Sequence, residues 1–399
     1  MNSFSFALPY IFMFSILFLS IFPVVGRSYK VNKLILLETE KDFIVLLVFA
    51  LFIGFRGYVY SDCLVYHDFY STVPSLFDSK EIIHRYFSKN SYGFEPLFLV
   101  WSLIFKSISE DYLVWQTLST LIDLLLINNL FKTYIPKQSV FGFLIFFVFY
   151  GFIIEVNLLR NVRAILIFLY SIKWIKNKKF CKYFFSMIVA SLFHTSALFY
   201  IPLYFVLGKT IKKRTVLLLI IVGNIICICK IQWLKSILLI AANFIPGALG
   251  QMLKGYLNSD FYSGTYSLGF GWLERNISFF IFYFVFSNTE DKNERIFYNL
   301  FVLYICTFLY CSEMSILVER IPYLFAASYW ILYPLAYKKI NKKYKIYLLI
   351  LLLIICFLKL SFGNMNVLMR YDNILFGAES YQTRRNIINR FSSKLIKME

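Results

Sequence analysis

Apolar runs of 18 or more residues recur along the whole chain, and each is long enough to cross a hydrocarbon core of about 30 Å as a helix. In lipid every backbone polar group must be satisfied internally, so such a chain folds as a helical bundle or a closed barrel. A barrel needs short segments of alternating polarity, which are absent here. The sequence therefore predicts an all-α, polytopic integral membrane protein. Candidate spans are 4–25, 43–55, 95–109, 112–131, 139–157, 161–175, 183–206, 215–231, 233–252, 272–287, 296–312, 316–337 and 346–362, or about 10–13 transmembrane or re-entrant helices.

Composition agrees with that class and narrows the function. Charged residues make up 16% of the chain, against about 25% in soluble domains. A net charge of +19 invites a nucleic-acid reading, but the lysines cluster between apolar runs, as in 173–182 and 338–345. That is the positive-inside pattern of cytoplasmic loops, and no nucleic-acid partner is expected. The seven cysteines are scattered without a CxxC, and only Cys63 is expected on the aqueous side. With three histidines a multi-histidine zinc site is improbable, and neither a metal nor a cofactor is expected. No GxxxxGK[ST], GxGxxG or GxSxG occurs, so ATP-driven chemistry and a serine-hydrolase elbow are unsupported.

Charge placement orients the chain. Segment 4–25 has no Lys or Arg ahead of it and reads as a retained anchor rather than a cleaved signal. Arg27, Lys30, Lys33 and Lys41 place loop 26–42 in the cytoplasm, so the next span delivers Arg56 and Asp62 to the outer face. Loop 56–94 is read as short surface helices and loop 255–271 as an irregular, tyrosine-rich lid. Residues 1–362 form the membrane domain. In the polar tail 363–399, Ile387, Phe391 and Leu395 fall four apart, as on an amphipathic helix lying on a membrane surface. With loops 26–42 and 173–182 both inside, one intervening span must dip and return or lie flat; 95–109 is the shortest and the first suspect.

Polar groups at a membrane boundary are candidate sites. The stretch Phe55–Tyr70 gathers Arg56, Asp62, Tyr66, His67 and Asp68. On a helix Asp62 and Tyr66 share a face, and a partly desolvated Asp62 would suit a general base; His67 and Asp68 are expected to be solvated. Arg160 and Arg163 stand three apart on one helix face, where they repel unless an anion lies between them; a diphosphate would suit, and snorkelling is the alternative. The neighbouring Glu155 and Asn157 favour the anion. His194 lies inside an apolar run, either a satisfied structural residue or one facing a cavity. Arg320, at the entrance of 316–337, is equally an anion ligand or an interfacial anchor, and for Glu274 and Arg275 the structural role is favoured.

The ordered set Phe-Arg56-Gly with Asp62 and Tyr66, Glu95-Pro96-Leu-Phe, Leu-Arg160-Asn-Val-Arg-Ala164, Ala190-Ser-Leu-Phe-His194-Thr-Ser-Ala197 and Glu-Arg320-Ile-Pro-Tyr323 resembles the EpsG-type branch of the Wzy O-antigen and capsule polysaccharide polymerases, over about residues 40–340. The chain departs from that pattern at Asn161, where glutamine is frequent, and at Thr195, where proline is frequent. The resemblance implies a membrane glycosyltransferase of GT-C-like architecture in the bacterial inner membrane. It implies transfer of a growing glycan from undecaprenyl diphosphate to the non-reducing end of a lipid-linked repeat unit at the periplasmic face. The implied partners are that lipid-linked oligosaccharide, membrane lipids and a chain-length regulator protein. On this reading Asp62 takes the acceptor hydroxyl's proton with His194 in support. Arg160, Arg163 and Arg320 hold the diphosphate, Arg56 holds either the lipid phosphate or Asp62, and Tyr66 and the tyrosines of 58–70 and 256–266 offer sugar-stacking faces. The rivals are an O-antigen ligase, which shares the donor, and a lipid-linked oligosaccharide flippase, which would favour a two-half repeat that is not seen.

Overall fold

The computed structural model describes residues 3–21, 32–244, 247, 250–251, 254–255, 257, 266 and 268–396, without the side chains of 32–41, 316, 319 and 392–396. Among the described residues the chain is helical, with no strand and one isolated antiparallel bridge, Arg56 to Asn373. The first ten α-helices are α1 (Leu8–Ile21), α2 (Asn32–Gly54), α3 (Asp62–Ser71), α4 (Lys80–Lys89), α5 (Pro96–Lys106), α6 (Tyr112–Tyr134), α7 (Ser139–Val148), α8 (Gly151–Asn157), α9 (Leu159–Lys176) and α10 (Phe180–Ser191). Contacts divide the chain into two units, one of Met1–Pro202 with Asn341–Glu399, the other of Leu203–Ile340.

Several apolar helices are compatible with a membrane protein, but those long enough to cross a bilayer are fewer than the apolar runs predict. Among the described residues, α6 and Lys342–Gly363 are each long and apolar enough to cross, and the pair α7–α8, bent by 64°, makes a third if counted as one span. The other apolar runs break into shorter helices. Run 183–206 ends as α10 at Ser191 and resumes as a 3-10 segment, Thr195–Leu203. Run 316–337 is interrupted by a 3-10 turn, Pro322–Phe325, because proline lacks the N–H a helix interior requires. Hydropathy records burial in lipid and is silent about such breaks.

A bend also falls within 139–157. Tyr150 joins α7 to α8 in the left-handed region at φ 68°, and a Cβ at Gly151 would meet the Phe146 ring at 2.2 Å. Suspicion had fallen on 95–109. Its helix α5 has 11 residues, about 16 Å at 1.5 Å per residue, which is too short to cross alone.

In the first unit the C-terminal segment is a strap rather than a separate tail. Gly57 N–H donates to Asp372 O at 3.1 Å, Ile374 N–H to Phe55 O at 2.8 Å, and Tyr60 N–H to Leu368 O at 2.8 Å. A Cβ at Gly57 would lie 2.1 Å from the Asp372 carboxylate, so the close approach needs glycine. Tyr371 stacks on Phe52 at 4.3 Å and donates to its carbonyl. The C-terminal helix Tyr381–Ile396 then covers α3: Ile388 joins the core around Tyr66, Phe69 and Trp115, and Arg384, 1% exposed, donates to Leu368 O at 2.7 Å. The buried positions are Arg384 and Ile388, one position along from the predicted stripe of Ile387 and Phe391; the side chain of Leu395 lies outside the described residues.

This strap engages His67 and Asp68, expected to be solvated, while leaving 26% and 43% of their side chains exposed. Tyr381 stacks flat on His67 at 3.6 Å and 10°, and its hydroxyl donates to Asp68. Cys63, expected at the aqueous side, is buried, and burial pushes its thiol up to about 12.

The second unit has its own core. Phe282, on the Phe270–Phe286 helix, packs against Phe301, Tyr329 and Tyr333. Beside them the buried Glu274 carboxylate accepts from Tyr329 at 2.9 Å and Ser278 at 3.0 Å, and Arg275 lies 4.0 Å over Phe308. Glu313 accepts the backbone N–H groups of Trp233, Leu234 and Lys235, capping the Leu234–Phe244 helix from a distant part of the chain. Glu274 and Arg275 are thus packed into this core, as the sequence reading favoured.

Burial holds the His67 imidazole below its ordinary value, with Asp68 and Asp111 opposing that and Arg385 adding to it. A depressed value means the unfolded chain binds the proton first, so this contribution is full above about pH 6.5 and fades as pH falls. The thermal midpoint of the purified protein should therefore drop more steeply from pH 7.5 to 5 than that of His67→Phe, which keeps the ring stack; parallel curves would refute the assignment.

Candidate functional site

Three arginines predicted to serve one site lie in two tiers of the first unit. The inner tier is sealed. Arg56, 0% exposed, donates through Nη1 to Ile53 O at 2.8 Å and to Thr120 Oγ1 at 3.0 Å, and through Nη2 to Glu155 O at 3.1 Å. Its own carbonyl accepts from Gln116 Nε2 at 2.8 Å. Arg163 Nη2 lies 3.2 Å from Asp123 Oδ2, its Nη1 donates to Leu159 O at 2.6 Å, and its guanidinium covers the Trp101 ring at 4.7 Å. Glu155 sits within electrostatic reach of Asp123, Arg56 and Arg163. Two guanidinium groups and two carboxyl groups are thus gathered in one buried cluster, where opposite charge offsets part of the cost of leaving water.

The outer tier starts one helical turn away. Arg160, at the second position of α9, has 23% of its side chain exposed, against 5% for Arg163. Its Nη1 donates to Glu95 Oε2 at 2.8 Å, the Phe94 ring lies 4.3 Å below the guanidinium, and the Tyr66 hydroxyl accepts a further bond. Glu95 Oε1 in turn accepts the Thr195 N–H at 3.1 Å. Beside it, His194 Nδ1 accepts the Ser196 N–H at 3.1 Å, and Ser196 Oγ donates to Asn161 Oδ1 at 3.2 Å. Because Nδ1 accepts, the neutral imidazole carries its proton on Nε2. Bonds through Arg160, Glu95, Thr195, His194, Ser196 and Asn161 therefore close a ring back onto α9.

Asp62 adjoins this ring from α3. Its N–H donates to Asn157 Oδ1 at 3.3 Å, fixing the helix start against the α8–α9 junction, and its carboxylate occupies the first turn, where the helix dipole favours an anion. As predicted, Asp62 and Tyr66 lie four apart on one helix. Both lie within electrostatic reach of one another, and Tyr66 of Arg160. Burial pushes the Tyr66 phenol up, so the hydroxyl is neutral. Enclosed by Phe94, Phe98 and Trp115, that ring supports Arg160 and is no open stacking face for a sugar.

The structure thus links Tyr66, Arg160 and His194 through hydrogen bonds, with Asp62 one turn from Tyr66 on α3, and holds Arg56 and Arg163 in a separate buried cluster. Arg163 and Arg160 do not share an anion, since Arg163 already has Asp123. Arg56, fully buried, donates to backbone carbonyls and to Thr120 and does not reach the surface. His194 stands in the turn after α10, not inside a span. Arg320 belongs to the second unit, exposed at the end of the Ser315–Arg320 helix. Tyr256 and Tyr262 of the expected lid lie outside the described residues; Tyr266 packs edge-on against Phe308 at 5.2 Å. Sequence reasoning missed Glu95 and Asp123. An aspartate in the middle of an apolar run is itself the signal for the second; the first was visible only as Glu-Pro at a helix start.

Removing one charge of the inner tier leaves another buried and unpaired, at about 3–5 kcal/mol. Asp123→Asn should lower the thermal midpoint sharply, and Asp123→Asn with Arg163→Met should regain most of the loss. Additive losses in the double variant would rule out the pairing.

The chain matches the EpsG family over residues 42–372. That extent takes in the Leu368–Asp372 part of the strap. No curated protein and no solved structure matches it. The chain belongs to the EpsG family, whose members are Wzy-like polymerases.

Proposed function

We propose that this chain is a polysaccharide polymerase of the bacterial inner membrane, a multi-pass, GT-C-like glycosyltransferase working at the periplasmic face. The donor is a growing glycan on undecaprenyl diphosphate, and the acceptor is the non-reducing end of a lipid-linked repeat unit. One observation carries the reading: of the three arginines around α9, only Arg160 is part-exposed, and it stands in one bonded ring with His194 and bonds Tyr66, one turn along α3 from Asp62.

The chemistry follows from what each group offers. The acceptor oxygen attacks the anomeric carbon as the bond from that carbon to the diphosphate oxygen breaks. Asp62 takes the hydroxyl proton. Arg160 stabilises the charge that the departing diphosphate gains, its guanidinium held in place over Phe94 and by Tyr66. His194, donating from Nε2, supports the diphosphate or the acceptor. Arg56 and Arg163 act from behind by holding α9 in place.

The test is glycan laddering in cells. Arg160→Ala should reduce polymer by about 10²-fold or more, and Asp62→Asn should abolish it while lipid-linked single repeats accumulate. Full-length polymer from normally inserted Arg160→Ala protein would defeat the assignment.

A further inference from the structure

Arg160 as it stands is not a vacant anion site. The edge of the guanidinium that a phosphate oxygen would take is held by Glu95 at 2.8 Å. A diphosphate and a carboxylate compete for the same donors, and two anions on one part-buried guanidinium repel. We propose that Glu95 is a resident counter-ion that keeps Arg160 occupied between turnovers, is displaced by the diphosphate of the lipid-linked substrate, and returns to help expel the polyprenyl diphosphate product. The inference rests on the site assigned above and adds its regulation.

Three features make the exchange feasible. First, the guanidinium stays in place without Glu95, because Phe94 lies 4.3 Å beneath it and Tyr66 accepts from it. Its Nε, buried and without an acceptor, leaves a further donor unused. Second, Glu95 has another berth. It is the N-cap residue of the 11-residue α5, with Pro96 next, yet its side chain makes no capping bond to that helix. A carboxylate leaving Arg160 stays beside the start of α5, where the helix dipole favours negative charge, while the Leu97 and Phe98 N–H groups keep their bonds to Leu192 O and Glu95 O. Third, Glu95 is only 10% exposed and stays tethered through Oε1 to the Thr195 N–H, so it remains at high local concentration for the return. The charge sequence is self-consistent: one carboxylate leaves as one diphosphate enters, and the site is never left with an uncompensated guanidinium.

The test measures binding of farnesyl diphosphate, a short polyprenyl diphosphate, to the purified full-length chain in nanodiscs. Glu95→Gln keeps the size and the acceptor for Thr195 but removes the competing charge, and should tighten binding at least tenfold. Glu95→Asp, which keeps the charge and shortens the reach, should fall between wild type and Glu95→Gln, and serves if the glutamine variant is not monodisperse. Arg160→Ala should weaken binding at least tenfold, and Glu95→Gln should no longer help in that background. If Arg160→Ala weakens binding but neither Glu95 variant tightens it, Glu95 merely orients Arg160 and the counter-ion proposal fails while the site stands. If Arg160→Ala binds as wild type does, the site itself is wrong.

Discussion

A guanidinium with no solvent exposure is tolerable only when its donors are met and opposite charge lies near, since desolvation costs several kcal/mol per ion. Arg56 meets that condition by drawing on Ile53 at the end of α2, on Thr120 in the middle of α6, and on the carbonyl of Glu155 in α8. These demands fix three elements at one level. The same residue bridges to Asn373, which anchors the C-terminal strap to the loop that opens α3. Asp62 and Tyr66 ride on α3, so their placement descends from the way Arg56 is solvated by protein.

The three arginines then divide the work by depth. Arg163 and Arg56, with Asp123 and Glu155, make a buried cluster that resists movement because any shift strands a charge. One helical turn on, Arg160 pairs with Glu95, and both side chains are more exposed than those of Arg163 and Asp123. That contrast is what a binding site requires: a rigid support beneath a charge that can exchange its partner. The strap adds to the support from the other side, through the Tyr381–His67 stack and the buried Arg384.

Much of this was legible in the sequence, and the limits are instructive. The helical class followed from the apolar runs, and the pairing of Asp62 with Tyr66 from a spacing of four. The choice of Arg160 and His194 followed from the rarity of such residues in apolar surroundings. What stayed hidden was anything set by tertiary pairing. Arg160 and Arg163 look equivalent at a spacing of three; only the position of Asp123 on another helix separates them. The tail looked amphipathic and surface-bound because its partners, 300 residues earlier in the chain, leave no local trace. Thr195 stands where the family pattern often carries proline; here its N–H holds Glu95, a bond proline lacks the donor to make. Helix breaks at Tyr150 and after Ser191 were masked by uninterrupted hydropathy.

The central claim is that a diphosphate is bound at Arg160, between Asp62 and His194. An experimental structure of the full chain in a bilayer mimic with a lipid-diphosphate-linked sugar tests it most directly. The account predicts phosphate oxygens within hydrogen-bond distance of the Arg160 guanidinium, with the sugar facing Asp62 and the inner tier unchanged. A diphosphate held elsewhere, with Arg160 still closed on Glu95, would contradict it.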